Sequence, residues 1–318
     1  MTISRLTKIG VARESSWGAA DAPQVLLPVE PPSITEPYEQ ILDNLQRGLY
    51  AADFGAYQGA GHVEMSLSGQ FYPEEVGFLL TAMIGSPSSG TSVPYEHDFT
   101  MATSQPPSLA IQDEGAVYKS GATKRRYTGM LPSSLVFSFS SAEGVLAWSA
   151  DLTGKLGTAP GSGAIPSAVG TSPFLGWQGA LTIGSANTRL IDAEITLERE
   201  VEMRHGSDGT QYAVAGYSGA LTATATMTLD AIDNTELDYV LGHSSNTVVL
   251  TFSYGAGNAE RSIAFTMTKF NWGEAPAELD RSGVFVTLGI SGRALYNDTD
   301  AGPIAVTLKN ARSSYAAA

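Results

Sequence analysis

Four histidines, His62, His97, His205 and His243, are the first residues to weigh for chemistry. Imidazoles hold metals or shuttle protons when they recur at short fixed spacings, and none of the four lies in an H-E-x-x-H or comparable pattern. The chain has no cysteine, which excludes disulfides and thiol nucleophiles and argues against a structural zinc site. Each histidine is therefore read as a surface or hydrogen-bonded residue. The segment from Asp298 to Gly302 has the opening of a calcium loop without its later ligands or closing glutamate, and reads as a turn. His205, Asp208 and Gly209 share the composition of an exposed loop tip. A glycosidase needs two acids at a fixed separation across a cleft, which this sequence does not establish. The adjacent Glu74 and Glu75 follow Pro73 and are explained as a helix start favoured by the dipole. No G-x-S-x-G elbow, P-loop or dinucleotide fingerprint occurs, so no catalytic residue, metal or cofactor is assigned. The one compact basic run is Lys124, Arg125 and Arg126. It reads either as ion-pair donors across a subunit contact or as a solvated strand end.

The elements that would position such residues occur twice. Residues 59–85 and 216–242 each give a glycine-led alternating strand, an acidic helix start and a short apolar helix closed by Gly85 or Gly242. Residues 144–154 and 283–293 echo each other in the same way. Internal repetition of this kind is weighed before any motif. Short apolar runs set among Thr, Ser and 34 glycines point to strands and turns. Val63, Met65 and Leu67 alternate with polar residues, as do Leu135, Phe137 and Phe139. The latter run and residues 145–152, including a core Trp148, read as a hairpin. Leu221, Ala223, Ala225 and Met227 alternate with Thr222, Thr224, Thr226 and Thr228, a strand with one hydroxyl face. Further strands are expected at 95–99, 108–112, 181–183, 190–197, 248–254, 262–270, 284–290 and 304–308. Residues 1–37 read as an extended arm with at most one edge strand, because prolines interrupt them. Residues 38–57 read as a loop or hairpin, and 198–216 as a polar loop.

These elements divide into a first unit at 1–156, a linker at 157–173 rich in Gly, Pro, Ser and Ala, and a second unit at 174–318. Each is expected to be a small β-sandwich or partly open barrel with one short flanking helix. At 318 residues and 43% hydrophobic, both halves have enough material for a core. The net charge of −14 argues against gripping phosphate backbones and suits a surface that nucleic acid passes without sticking; solubility is the plainer reading. No signal peptide or membrane-spanning run is expected.

The chain resembles phage major tail tube proteins of long non-contractile tails. The resemblance is carried by residues 9–23, with Glu14, Gly18 and Pro23 in an E-x-x-x-G-T-A-x-x-P-like opening, and by 69–85 with its Pro-Glu-Glu start. It continues through Tyr95, His97 and Phe99 in a Y-x-H-x-F-like strand, then 107–111, 129–135 and 144–154. It covers most of the first half; the second half follows by the internal echo alone. The resemblance implies a structural virion protein, assembled in the bacterial host cytoplasm, whose rings stack helically into a tube. Its partners would be copies of itself, other tail proteins, and the tape-measure protein and DNA in the lumen, without membrane insertion of its own. Duplication suggests three chains per pseudo-sixfold ring, with six chains as the alternative. Arg47, Tyr50, Phe54, Tyr57, Lys124, Arg125, Arg126, Glu202, Arg204 and Asp208 are candidate ring or inter-ring contacts. Thr222, Thr224, Thr226 and Thr228 are candidate lumen-lining residues. A carbohydrate-binding adhesin, with Tyr212 and Tyr217 on loops, is the competing expectation.

Overall fold

The computed structural model describes residues 7–115, 123–141, 144–157, 163–184, 186–230, 238, 241–242, 245–273, 278–280, 282 and 285–317. The first half carries β1 (Lys8–Arg13), β2 (Val25–Leu27), β3 (Ser33–Thr35), β4 (Tyr38–Asp43), β5 (Gly55–Gly61) and β6 (Val63–Gln70). After these come α1 (Gly77–Met83), β7 (Ser88–Ser89), β8 (Tyr95–Phe99), β9 (Leu109–Glu114), β10 (Lys124–Ser140) and β11 (Ala147–Gly154). The second half carries β12 (Gly179–Ile183), β13 (Ala186–Thr188), β14 (Leu190–Glu198), β15 (Val201–His205), β16 (Ala213–Ser218) and β17 (Thr222–Asp230). It ends with β18 (Asn246–Tyr254), β19 (Arg261–Asn271), β20 (Glu278–Asp280), β21 (Thr287–Ala294) and β22 (Ala305–Asn310). The fold is mainly β, and every ladder is antiparallel.

Strand pairing repeats between the halves. β6 lies between β3 and β11, as β17 lies between β14 and β21. β9 joins β1 to β10, as β18 joins β12 to β19. β1 pairs with β2 and β12 with β13. A separate two-stranded hairpin follows β3, made of β4 and β5, and another follows β14, made of β15 and β16. β10 first pairs with β9 and then runs on along β11. In the second half that long strand is divided: β19 meets β21 at Phe270 opposite Ala294, and β20 continues beside β21 at Glu278 opposite Gly289.

Two joints tie the halves into one sheet. β10 pairs with β14 from Ser134 opposite Glu198 to Ser140 opposite Asp192. β22 inserts between β19 and β8. Among the described residues the ladders branch from β10, β19 and β21 without any path returning to its start, so the sheet is not a closed barrel. One core underlies both halves. Phe71 packs at a tilt against Phe137 at 5.8 Å and Phe174 at 5.6 Å, and Phe137 meets Phe265 at 4.9 Å. Helix α1 is buried along its whole length, with Phe78 edge-on to Tyr315 at 5.1 Å. Each such fully buried ring contributes about 2–3 kcal/mol by leaving water.

The N-terminal region departs from its sequence reading. It supplies three short strands rather than one edge strand, with β1 between β2 and β9 and with Ile9 and Val11 in the core. Pro23, Pro28, Pro31 and Pro32 shorten β2 and β3 to three residues each without preventing pairing. The 198–216 segment also forms a hairpin rather than a loop. Glu74 and Glu75 do not occupy the first turn of α1, which begins at Gly77 and holds no acid. The expected second helix, at residues 237–241, lies largely outside the described residues, as does Val284 of the expected 284–290 strand; described pairing there begins at Thr287. Residues 163–173 of the linker are irregular, and Ile165 within them is buried.

Candidate assembly surfaces and channel face

The inner faces of β6, β11, β10, β14, β17 and β21 are apolar by alternation, so their outer faces form one continuous surface. Register defines its rows. One row runs Ser66, Asp151, Ser134, Glu198, Thr222. The next runs Ser68, Ser149, Val136, Thr196, Thr224, Arg293. A third runs Gln70, Ala147, Ser138, Glu194, Thr226, Ser291, and Thr228 follows beside Asp192. The surface is therefore built of small hydroxyls and carboxylates. Ser66 donates to Asp151 at 2.6 Å across one row. The four candidate threonines all lie on this face, half-buried or exposed.

Both hairpins leave the sheet at the same rim. β4–β5 departs between Thr35 and Val63, and β15–β16 departs between Glu198 and Thr222. Val63 aligns with Gly154, Ser134 with Glu198, and Glu198 with Thr222, which places all these strand ends on one side. The hairpins brace each other there: Gln211 Nε2 donates to the Gln58 carbonyl at 3.0 Å, and the Gly61 N–H donates to the Gln211 carbonyl at 3.1 Å. The β4–β5 hairpin is otherwise bare. Leu45 and Leu49 are each 70% exposed, Tyr50 is fully exposed and Tyr57 largely so. Arg47 pairs with Asp43 and lies over the Phe54 ring at 4.9 Å, which stiffens the tip from inside the chain. On the other hairpin Glu202 and Arg204 sit opposite Tyr217 and Ala215. Asp208 at its turn accepts the Thr210 N–H and hydroxyl at 3.0 and 2.8 Å, which hold its carboxyl below the ordinary value.

The basic run is engaged within the chain. Lys124 Nζ lies 3.2 Å from Glu114, Arg125 donates to Glu36 at 2.5 Å, and buried Arg126 donates to the Ala20 carbonyl and to Gln112. Of the histidines, His62 meets Glu64 at 3.1 Å and His205 lies 3.3 Å from the Gly61 carbonyl. His97 is buried against the Arg312 carbonyl at 2.8 Å, and burial lowers its pKa. His243 lies outside the described residues. No group of three or more metal-ligating side chains occurs among the described residues. Asp300 accepts the Thr268 N–H and hydroxyl, so the 298–302 segment is a turn tied to β19, closed by Asn297 opposite Gly302.

Sequence reasoning missed the burial of four charged residues that position these surfaces. Glu14 accepts Ser108 Oγ at 2.5 Å and the Gly18 and Gly129 N–H groups at 2.7 Å, which ties the N-terminal segment to β9 and β10. Burial pushes its carboxyl up to about 7, against the pull of those donors. Glu74 pairs with Arg261 at 2.6 Å and joins the two halves, while both oxygens of buried Glu75 lack a hydrogen-bond partner among the described residues. Burial, with Glu74 beside it, pushes Glu75 up to about 7. Arg199 donates to the Met83 and Gly219 carbonyls, which anchors the base of β15–β16 to the end of α1. Arg199 stands between Glu198 and Glu200, the composition of a solvated strand end, and its carbonyl partners leave no trace in the sequence.

A family model described as phage tail tube protein matches residues 4–308. No curated protein matches the sequence.

Proposed function

Because the chain belongs to the phage tail tube protein family, a structural part of the virion tail that assembles with copies of itself and with other tail components, we propose that three chains close a ring of six sheet units and that rings stack into a hollow tube conducting DNA. The observation that carries the ring is the β10–β14 joint, where the first unit meets the second. By the repeated pairing, β14 corresponds to β3, and the distal half of β10 corresponds to β20. Among the described residues β3 pairs only with β6 and β20 only with β21, so each keeps one open edge. Placing β20 of one chain beside β3 of the next repeats the internal joint between chains. It also protects two edges that would otherwise template aggregation.

The continuous outer face then lines the channel. Glu64, Asp151, Asp192, Glu194 and Glu198 outnumber Arg293 on it, so it repels phosphate, and its hydroxyls offer no bidentate grip. A tape-measure protein and then DNA would pass such a wall without sequence-specific contact. The basic groups that would hold a phosphate backbone are scarce there. The hairpins at one rim reach the neighbouring ring. Electron microscopy of the purified protein tests this reading: hollow rods of uniform width are expected. A solitary monomer that binds discrete glycans on an array would replace it with an adhesin.

A further inference from the structure

A groove of about 630 Å³ opens at the rim opposite the hairpins. It is bounded by the end of β10 at Phe139, by β12 at Gly179 and Leu181, by the start of β14 at Leu190, and by Trp177 and Phe285. Register places it: Ser140 aligns with Asp192, Asp192 with Thr228, and Asp230 with Thr287, all at the far ends of the strands whose other ends carry the hairpins. Trp177 is 72% and Phe285 75% exposed, an unusual cost for two large aromatic groups on one rim.

We infer that this groove is the socket for the β4–β5 hairpin tip of a second copy of the chain in the adjoining ring. The inference rests on the stacked-ring reading and names the partner surface within it. The tip presents Leu45, Leu49 and Tyr50 to solvent, an apolar group matched to the groove in chemistry. The two surfaces cannot meet within one chain. Nine-residue β14 separates the rims by about 30 Å, and the hairpin departs from the wrong end. Two complementary patches at opposite ends of one protomer make a head-to-tail contact, which propagates into an open filament instead of closing. Charge permits the seat. The tip carries the Asp43–Arg47 pair and an exposed Asp53, and the groove mouth carries Arg189 and Asp230 at 3.5 Å, so the one surplus charge is the tip acid, and the largely exposed Arg189 is the groove cation that suits it. Trp177 and Phe285 are the aromatic anchors such an interface would concentrate its affinity on.

Acrylamide quenching of the free protein and of assembled rods, each compared with Trp177→Phe, tests the inference. Trp177 is expected to be quenched in the free protein and protected at least severalfold in rods. The chain lacks native cysteine, so Leu45→Cys or Leu49→Cys combined with Thr188→Cys is expected to give a ladder of disulfide-linked multimers in oxidised rods and none in dilute protein. Rods whose Trp177 stays as quenchable as in the free protein overturn the socket and leave the tube reading standing. Protection with no ladder from either cysteine pair overturns the choice of occupant. A protein that forms neither rings nor rods overturns the inference together with the reading beneath it.

Discussion

At the scale of single residues, stability rests on a few buried charges more than on any reactive group. Glu75 is raised from 4.5 to about 7 by burial and by Glu74, with Arg312 opposing. A carboxyl raised on folding binds more protons in the native state, so its contribution is fully present below pH 4.5 and is lost as pH rises through about 7. Thermal melts of Glu75→Gln should therefore match the wild type near pH 4.5 and exceed it above pH 7 by an equivalent of about 3 kcal/mol. A constant difference across that range would contradict the assignment. Arg261→Met should cost about 3–5 kcal/mol in chemical denaturation, because it leaves Glu74 buried without its cation. Gly129 adopts φ +65° at the β10 bulge, with Trp17 packed against it. Gly129→Ala there should cost at least about 1 kcal/mol. None of these roles was legible locally. Glu74 and Glu75 have the composition of a helix start, and only the fold shows that they face Arg261 and the core instead.

At the scale of elements, alternation made the sheet readable and long-range pairing did not. Val63, Met65 and Leu67, or the Thr222–Thr228 series, mark which face is buried, because side chains switch sides at every residue. The β10–β11 hairpin could be read because its partners are adjacent in the chain. The β10–β14 and β22–β8 joints could not, since they link residues far apart and leave no local signature. The β4–β5 hairpin lacked an apolar period because neither of its faces is buried. That exposure makes a prediction. Replacing residues 39–60 with a short Gly-Ser turn removes a self-contained two-stranded sheet, so circular dichroism and melting of the subunit should change little. Sedimentation should show rings that no longer stack. Loss of the folded subunit instead would show that the hairpin is part of the core.

At the scale of the whole molecule, the repeated strand pairing is the feature with the largest consequence. The repeat of strand order was visible as an echo between 59–85 and 216–242, and the structure extends it to the pairing of nearly every strand. The continuous outer face was only partly visible, through its threonines; its carboxylates, spread over β6, β11 and β14, come together only through register. Adding a positive charge to it tests the channel role. Thr226→Lys is a surface change that should alter subunit stability by less than about 0.5 kcal/mol. Rods carrying it should retain short DNA at low salt and release it as salt rises, while wild-type rods retain none. Equal retention by both would place this face away from the lumen. The most direct measurement is the rotational symmetry of the assembled tube by cryo-electron microscopy with the chains counted in each ring. Three chains presenting six similar sheet units, with β20 of one beside β3 of the next, is the predicted result. Six chains per ring, or a ring joined through other edges, would contradict it.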